Sequence, residues 1–218
     1  MIRFITGTDT GVGKTVAAAV LAYRARSDGV PAHYLKPVQT GVAPGEPGDA
    51  DFVAAAAGIE AGELIRFSEP LAPAVAAERA GSPIDFDELV REIKACDRDV
   101  LFVEGAGGLL APLTLDETMA DLAIALGGDV VVATRPGLGT LNHTALTLEA
   151  ARSHGLNVAG LVVSGWPTRP GLAERTNLDR LAAMAPLLAI VRRLRGLSVD
   201  EGRSGVLREA LERGTAIV

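Results

Sequence analysis

Short apolar runs alternate along the chain with longer segments whose apolar positions recur every three or four residues. Ile2–Thr6, His33–Lys36, Val100–Glu104 (VLFVE), Val130–Thr134 (VVVAT), Val158–Ser164 (VAGLVVS) and Leu187–Val191 read as strands. Helical period falls near Thr15–Arg26, with Val16, Val20, Leu21 and Tyr23 among its apolar positions, and near Asp49–Ala57, Phe86–Cys96, Ala120–Leu126, Leu141–Ser153 and Leu172–Met184. The strands are apolar on both faces, whereas a half-exposed sheet would alternate. Strand, helix, strand in repetition gives right-handed crossovers. The fold class is therefore α/β: an open, mostly parallel sheet covered by helices on both faces. In such sheets ligands lie beyond the carboxyl ends of the strands, so the residues that follow each strand become the candidates for chemistry.

Composition narrows the picture further. The chain has 218 residues, 48% of them apolar and 22% charged, which is ordinary for a globular protein. Its length predicts one compact domain over residues 1–218, large enough to hold a core without disulfide or metal. With 21 basic and 27 acidic residues the net charge is −6, and Arg192, Arg193 and Arg195 form the densest basic group. Neither nucleic acid nor a membrane surface is an expected partner. One cysteine, Cys96, excludes an internal disulfide and a multi-cysteine zinc site, and its helical stretch makes it a packing residue. No signal-like start and no long apolar span is present, so the expected location is cytoplasmic. The loop 41–48 (GVAPGEPG) is too short to divide domains and reads as an active-site loop; from about Arg192 onward the pattern is weak.

The first strand runs into Gly7-Thr8-Asp9-Thr10-Gly11-Val12-Gly13-Lys14-Thr15, which opens a helix. That is the setting of a phosphate-binding loop: backbone N–H groups converge on phosphate oxygens at the positive end of a helix. Lys14 would reach the β- and γ-phosphates, and the Thr15 hydroxyl would ligate Mg²⁺. Five residues rather than the standard four separate Gly7 from Gly13, but the Gly-Lys-Thr end is intact.

Two further strand ends carry chemistry. Glu104 closes an apolar strand beside the first and is followed by Gly105-Ala106-Gly107-Gly108. An acid there is where a nucleoside triphosphatase holds its metal, and the glycines let backbone approach a ligand. Lys36 precedes Pro37 and would be carried to the same edge as Lys14, where two lysines can stabilise charge on a transferring phosphoryl group. Pro37 should stiffen the exit from that strand. Asp49, in Gly48-Asp49-Ala50-Asp51, reads equally as a helix N-cap and as a metal ligand.

Together these residues resemble dethiobiotin synthetases. The matching pieces are GTDTGVGKT at 7–15, KPVQTG at 36–41, GDA at 48–50, VEGAGG at 103–108 and GLGTLNHT at 137–144, covering the chain from the first strand to about Trp166. The resemblance implies a P-loop NTPase-like fold and an ATP- and Mg²⁺-dependent closure of a ureido ring on 7,8-diaminononanoate with CO₂. One amine and CO₂ form a carbamate, the carbamate attacks the γ-phosphate, and the second amine then displaces phosphate. By resemblance Lys36, Lys14 and Thr10 are catalytic. Gly11, Val12, Gly13, Lys14, Thr15, Val16, Glu104, Gly105, Ala106, Gly107, Ser164 and Gly165 would meet the nucleotide. Thr40 would meet the diamine, and Thr15, Asp49 and Glu104 the metal, with Asp51 as substitute for Asp49. Leu141 and Asn142, at a helix start, would hold the substrate carboxylate of a neighbouring subunit, which implies a homodimer with shared sites.

The chain departs from the family pattern at two positions. Gly11 stands where some members carry an acid. Gly165 stands where others place an asparagine against the adenine edge, so other nucleoside triphosphates such as CTP are expected substrates alongside ATP. A different class, the partitioning-type nucleotide-switch ATPase, requires a second lysine early in the loop; Thr8, Asp9 and Thr10 stand there instead.

Overall fold

The structure, a computed structural model, describes residues 1–96, 99–199 and 203–217. Seven strands, β1 (Ile2–Gly7), β2 (Ala32–Thr40), β3 (Glu60–Phe67), β4 (Val100–Glu104), β5 (Asp129–Thr134), β6 (Val158–Trp166) and β7 (Leu187–Arg192), form one sheet in the order β3-β2-β4-β1-β5-β6-β7. Every pairing between them is parallel. Helices α1 (Lys14–Ser27), α2 (Asp49–Val53), α3 (Pro73–Ala80), α4 (Phe86–Lys94), α5 (Met119–Leu126), α6 (Thr140–Ser153), α7 (Leu172–Met184) and α8 (Gly205–Glu212) cover it, and a π-helical turn, Ala54–Gly58, extends α2.

Alternate residues of each strand feed two cores. Phe4, Val130, Val132, Leu161 and Val163 face the side of α5 and α6, packing with Met119, Leu122 and Leu148. Ile5, Val131, Ala133, Val162 and Val191 face the other side, with Val16 and Val20 of α1, Phe52 of α2 and Leu207 and Leu211 of α8. Burial on both faces is why the strands read as unbroken apolar runs. Alanines at 17, 18, 19 and 22 of α1 are all fully buried and bring that helix close against the sheet. Cys96 packs against the first core, as expected, but lies just past α4 rather than within the helix.

Most expected elements are found within a residue or two, and α7 has the expected ends. Strand β2 differs: it does not stop at Lys36 but continues through Pro37 to Thr40. Pairing with β4 ends at Leu35, while pairing with β3 runs on to Thr40. Past Leu35 one side of β2 carries no ladder, and a proline without an N–H is tolerated there. Strand β3 has no counterpart in the sequence reading, because Glu60, Glu63 and Arg66 interrupt the apolar pattern of an edge strand.

Leu122 is fully buried in the first core beneath α5. Leu122→Ala leaves a cavity there and should lower unfolding free energy by about 2–5 kcal/mol in urea titration, without altering the residues at the carboxyl ends of the strands.

Candidate active site

The chain turns from β1 into α1 through the phosphate loop. Gly13 occupies the left-handed region at φ 94° directly before the helix, and Gly11 does so at φ 71°. A Cβ on Gly13 would sit 2.7 Å from the Cβ of Ser164 on β6, so the loop passes β6 at backbone distance. Thr8 N–H donates to Ala133 O of β5 at 3.0 Å, which ties the loop to the sheet.

Strand register then assembles the centre. Tyr34 is level with Phe102 and Leu35 with Val103, which sets Lys36 next to Glu104 on the neighbouring strand. Glu104 is in turn adjacent to Ile5 of β1, directly under the loop. Lys36 Nζ lies 2.8 Å from Glu104 Oε1 and 2.6 Å from Asp49 Oδ2. The Thr15 hydroxyl lies 3.0 Å from Glu104 Oε1 and 3.1 Å from Asp49 Oδ1, donating to one at a time. Tyr34 donates its hydroxyl to Glu104 Oε2 at 2.8 Å. Lys14 Nζ donates to the Asp9 carbonyl at 3.0 Å, folded back along its own loop.

These groups are deeply buried: Glu104 is 1% exposed, Lys36 4% and Lys14 7%. Burial alone would lower the pKa of Lys36, but the Glu104 and Asp49 carboxylates outweigh it and raise the ammonium above its ordinary value. Lys36 is therefore a fixed positive charge at neutral pH, not a base. Lys14 is lowered, chiefly by burial and partly by Lys36, with Glu104 opposing. Burial pushes the Glu104 carboxyl up against the pull of Lys36. Two ammoniums face two carboxylates, so the centre is balanced without a ligand. Thr15, Asp49 and Glu104 present only oxygen donors on one side of it, the set a hard divalent cation accepts when phosphate and water fill its other positions.

Asp49, not Asp51, belongs to this centre. Gly48 is the N-cap of α2, and the Asp51 side chain turns back to accept its N–H at 2.8 Å. Gln39 Oε1 accepts the Asp49 N–H at 3.0 Å and so aligns the start of α2 with the cleft. Arg66 of β3 grips Glu63 through two nitrogens and donates to the Ala43 and Glu46 carbonyls at 3.0 and 2.6 Å, pinning the loop between Thr40 and Asp49.

Thr10, Gly11, Gly13, Lys14, Thr15, Val16, Lys36, Thr40, Asp49, Glu104, Ala106 and Gly107 line one cleft of about 570 Å³ at the carboxyl ends of β1, β2 and β4. Val12, Ser164 and Gly165 line a second cavity of about 350 Å³ on the other flank of the loop, shared with Gly11, Gly13 and Val16. Gly105 supports the cleft from behind, its backbone N–H donating to Ile5 O at 3.0 Å. Leu141 and Asn142 stand in the first turn of α6 and do not line this chain's own cleft. Sequence reasoning did not single out Tyr34, Gln39, Arg66 or the segment at Leu197–Val199 that borders the cleft. The signal for Tyr34 was available: it lies two residues from Lys36, hence on the same strand face.

A phosphate loop, an acid on the adjacent strand and a parallel sheet define a P-loop nucleotide-binding protein of the α/β class. Solved structures share this fold: chloroplast FtsY from Physcomitrella patens (TM-score 0.53, 20% identity, 95% of this chain and 65% of that one) and the septum site-determining protein MinD complexed with Mg-ADP from Pyrococcus horikoshii OT3 (TM-score 0.53, 17% identity, 98% and 97%). A family model described as an AAA domain matches residues 3–199. The ATP-dependent dethiobiotin synthetase of Rhodococcus jostii (strain RHA1) is 50% identical over 188 residues, covering 84% of this chain and 81% of its own. That of Anaeromyxobacter sp. (strain Fw109-5) is 47% identical over 209 residues, covering 89% and 94%. This chain belongs to the ATP-dependent dethiobiotin synthetase family.

Gly13→Ala should strain the loop and collide with Ser164. We expect unfolding free energy to fall by about 1–3 kcal/mol in urea titration, with ADP affinity weakened in parallel by calorimetry.

Proposed function

We propose that this chain carboxylates 7,8-diaminononanoate with CO₂ and closes its ureido ring to dethiobiotin, converting ATP to ADP and phosphate. The observation that carries the reading is the convergence of Lys14, Lys36, Thr15, Asp49 and Glu104 on one cleft in a chain about half identical to named dethiobiotin synthetases. The chemistry needs no protein nucleophile, because the substrate supplies both amines; neither cysteine nor histidine lines the cleft among the described residues. What it needs is position and charge.

One amine adds to CO₂ and loses a proton, giving a carbamate. A carbamate oxygen attacks the γ-phosphorus as the bond to ADP breaks, and the second amine then attacks the carbamoyl carbon and expels phosphate. Lys14, released from the Asp9 carbonyl, reaches the β- and γ-phosphates. The permanent charge of Lys36 sits where the carbamate oxygen and γ-phosphoryl group meet. Thr10 and Thr40, at the rim, orient carbamate and diamine through their hydroxyls. Thr15, Asp49 and Glu104 are the side chains that would hold magnesium, which when bound would supply charge neutralisation at the nucleotide's phosphates.

The same reading takes residues 1–218 as one domain and two copies of the chain as the working unit. Leu138 is 93% and Leu146 58% exposed around the first turns of α6, the element carrying Leu141 and Asn142, and these apolar side chains support a second copy there. Gly165, in the smaller cavity beside the phosphate loop, offers the nucleobase no side chain, which supports use of CTP as well as ATP. The switch-ATPase reading is not favoured: likeness to MinD is one of fold. Among the described residues no helix is long and apolar enough to cross a membrane.

The test is isotopic. Supplied with ¹³C-bicarbonate, 7,8-diaminononanoate, Mg²⁺ and either ATP or CTP, the protein should place label in a cyclic urea with one phosphate released per ring. Lys36→Ala should lower kcat on the order of a hundredfold or more while nucleotide still binds. Nucleotide hydrolysis that ignores diamine and bicarbonate would contradict the proposal.

A further inference from the structure

The mechanism above leaves the buried hydroxyl of Tyr34 unused. Tyr34 is fully buried on β2 among apolar side chains of α1 and α2, where a phenylalanine would fill the same space. Its hydroxyl instead reaches the Glu104 carboxylate at 2.8 Å. A buried phenol takes a partner or pays a desolvation cost, and here the partner is the acid at the heart of the site.

The two oxygens of Glu104 have different company. Oε1 takes Lys36 Nζ at 2.8 Å and Thr15 Oγ1 at 3.0 Å, both groups of the cleft. Among the described residues Oε2 accepts only from Tyr34, a member of the apolar core rather than of the cleft lining. Without that donor the carboxylate can turn, and Oε2 would compete for Lys36. We propose that Tyr34 is a positioning residue that locks the Glu104 carboxylate with Oε1 toward the cleft, so that this oxygen is presented to the nucleotide-bound divalent cation and Lys36 is left free for the anion. This rests on the assignment of Glu104 to the metal. Outer partners of ligating carboxylates commonly contribute one to two orders of magnitude to metal affinity.

The experiment is calorimetric titration of ADP into the full chain, with Mg²⁺ and with EDTA, for wild type and Tyr34→Phe. In EDTA the variant should bind ADP within about twofold of wild type, because its phosphate contacts remain. The tightening that Mg²⁺ confers should shrink on the order of tenfold. Full tightening in Tyr34→Phe, or an equal loss with and without Mg²⁺, would overturn the positioning role while leaving the metal assignment standing. No tightening in wild type would remove the metal assignment and the positioning role with it. A second measurement needs no deletion: 3-fluorotyrosine in a Tyr23→Phe background leaves a single ¹⁹F resonance, at position 34. That resonance should move when Mg²⁺ is added to the ADP complex, and an unmoved signal would count against the proposal.

Discussion

A buried ammonium held between two carboxylates organises this molecule. Lys36 is almost inaccessible to water and touches both Asp49 and Glu104. An isolated charge at that depth would be heavily destabilised, so none of the three residues can be understood alone. Together with Lys14 they form a centre of zero net charge that is nonetheless ready to exchange partners. On the proposed reading, an incoming nucleotide would offer its phosphates to the two lysines, leaving Asp49 and Glu104 with Thr15 as the side chains that would hold a divalent cation. The ligand thus substitutes for contacts that already exist, and the fixed charges need little reorganisation when the phosphoryl group moves.

The sheet sets the spacing of this exchange. Glu104 and Lys36 are neighbours because β4 and β2 pair in parallel register, and the loop arches over them because β1 flanks β4 on the other side. Asp49 is added from outside the sheet, by an α2 start fastened through Gln39 and by a loop pinned through Arg66. Rigid strands thus position Lys36 and Glu104, while a loop pinned from β3 brings Asp49 to them.

Much of this was legible in the chain itself. Strands buried on both faces announce themselves as unbroken apolar runs, and Gly13-Lys14-Thr15 after such a run has few other uses. Glu104 was readable because an acid ending VLFVE is costly unless it has a task. The choice between Asp49 and Asp51 was not readable, since either residue can cap a helix and only the turn of the Asp51 side chain toward Gly48 decides it. Strand β3 escaped because an edge strand carries charge, and the run of β2 through Pro37 because tolerance for proline depends on which neighbour has ended. Tyr34 was not singled out, although its spacing of two from Lys36 put it on the same strand face; the partner of its hydroxyl, Glu104, is set by the neighbouring strand.

The most direct test is a crystal structure with ADP, Mg²⁺ and aluminium fluoride, a planar mimic of the γ-phosphoryl group in transfer. The account predicts Lys14 Nζ and Lys36 Nζ both within about 3 Å of the fluoride anion, with the metal on the Thr15, Asp49 and Glu104 side. Lys36 still clasped between Asp49 and Glu104, with the anion bound out of its reach, would contradict it.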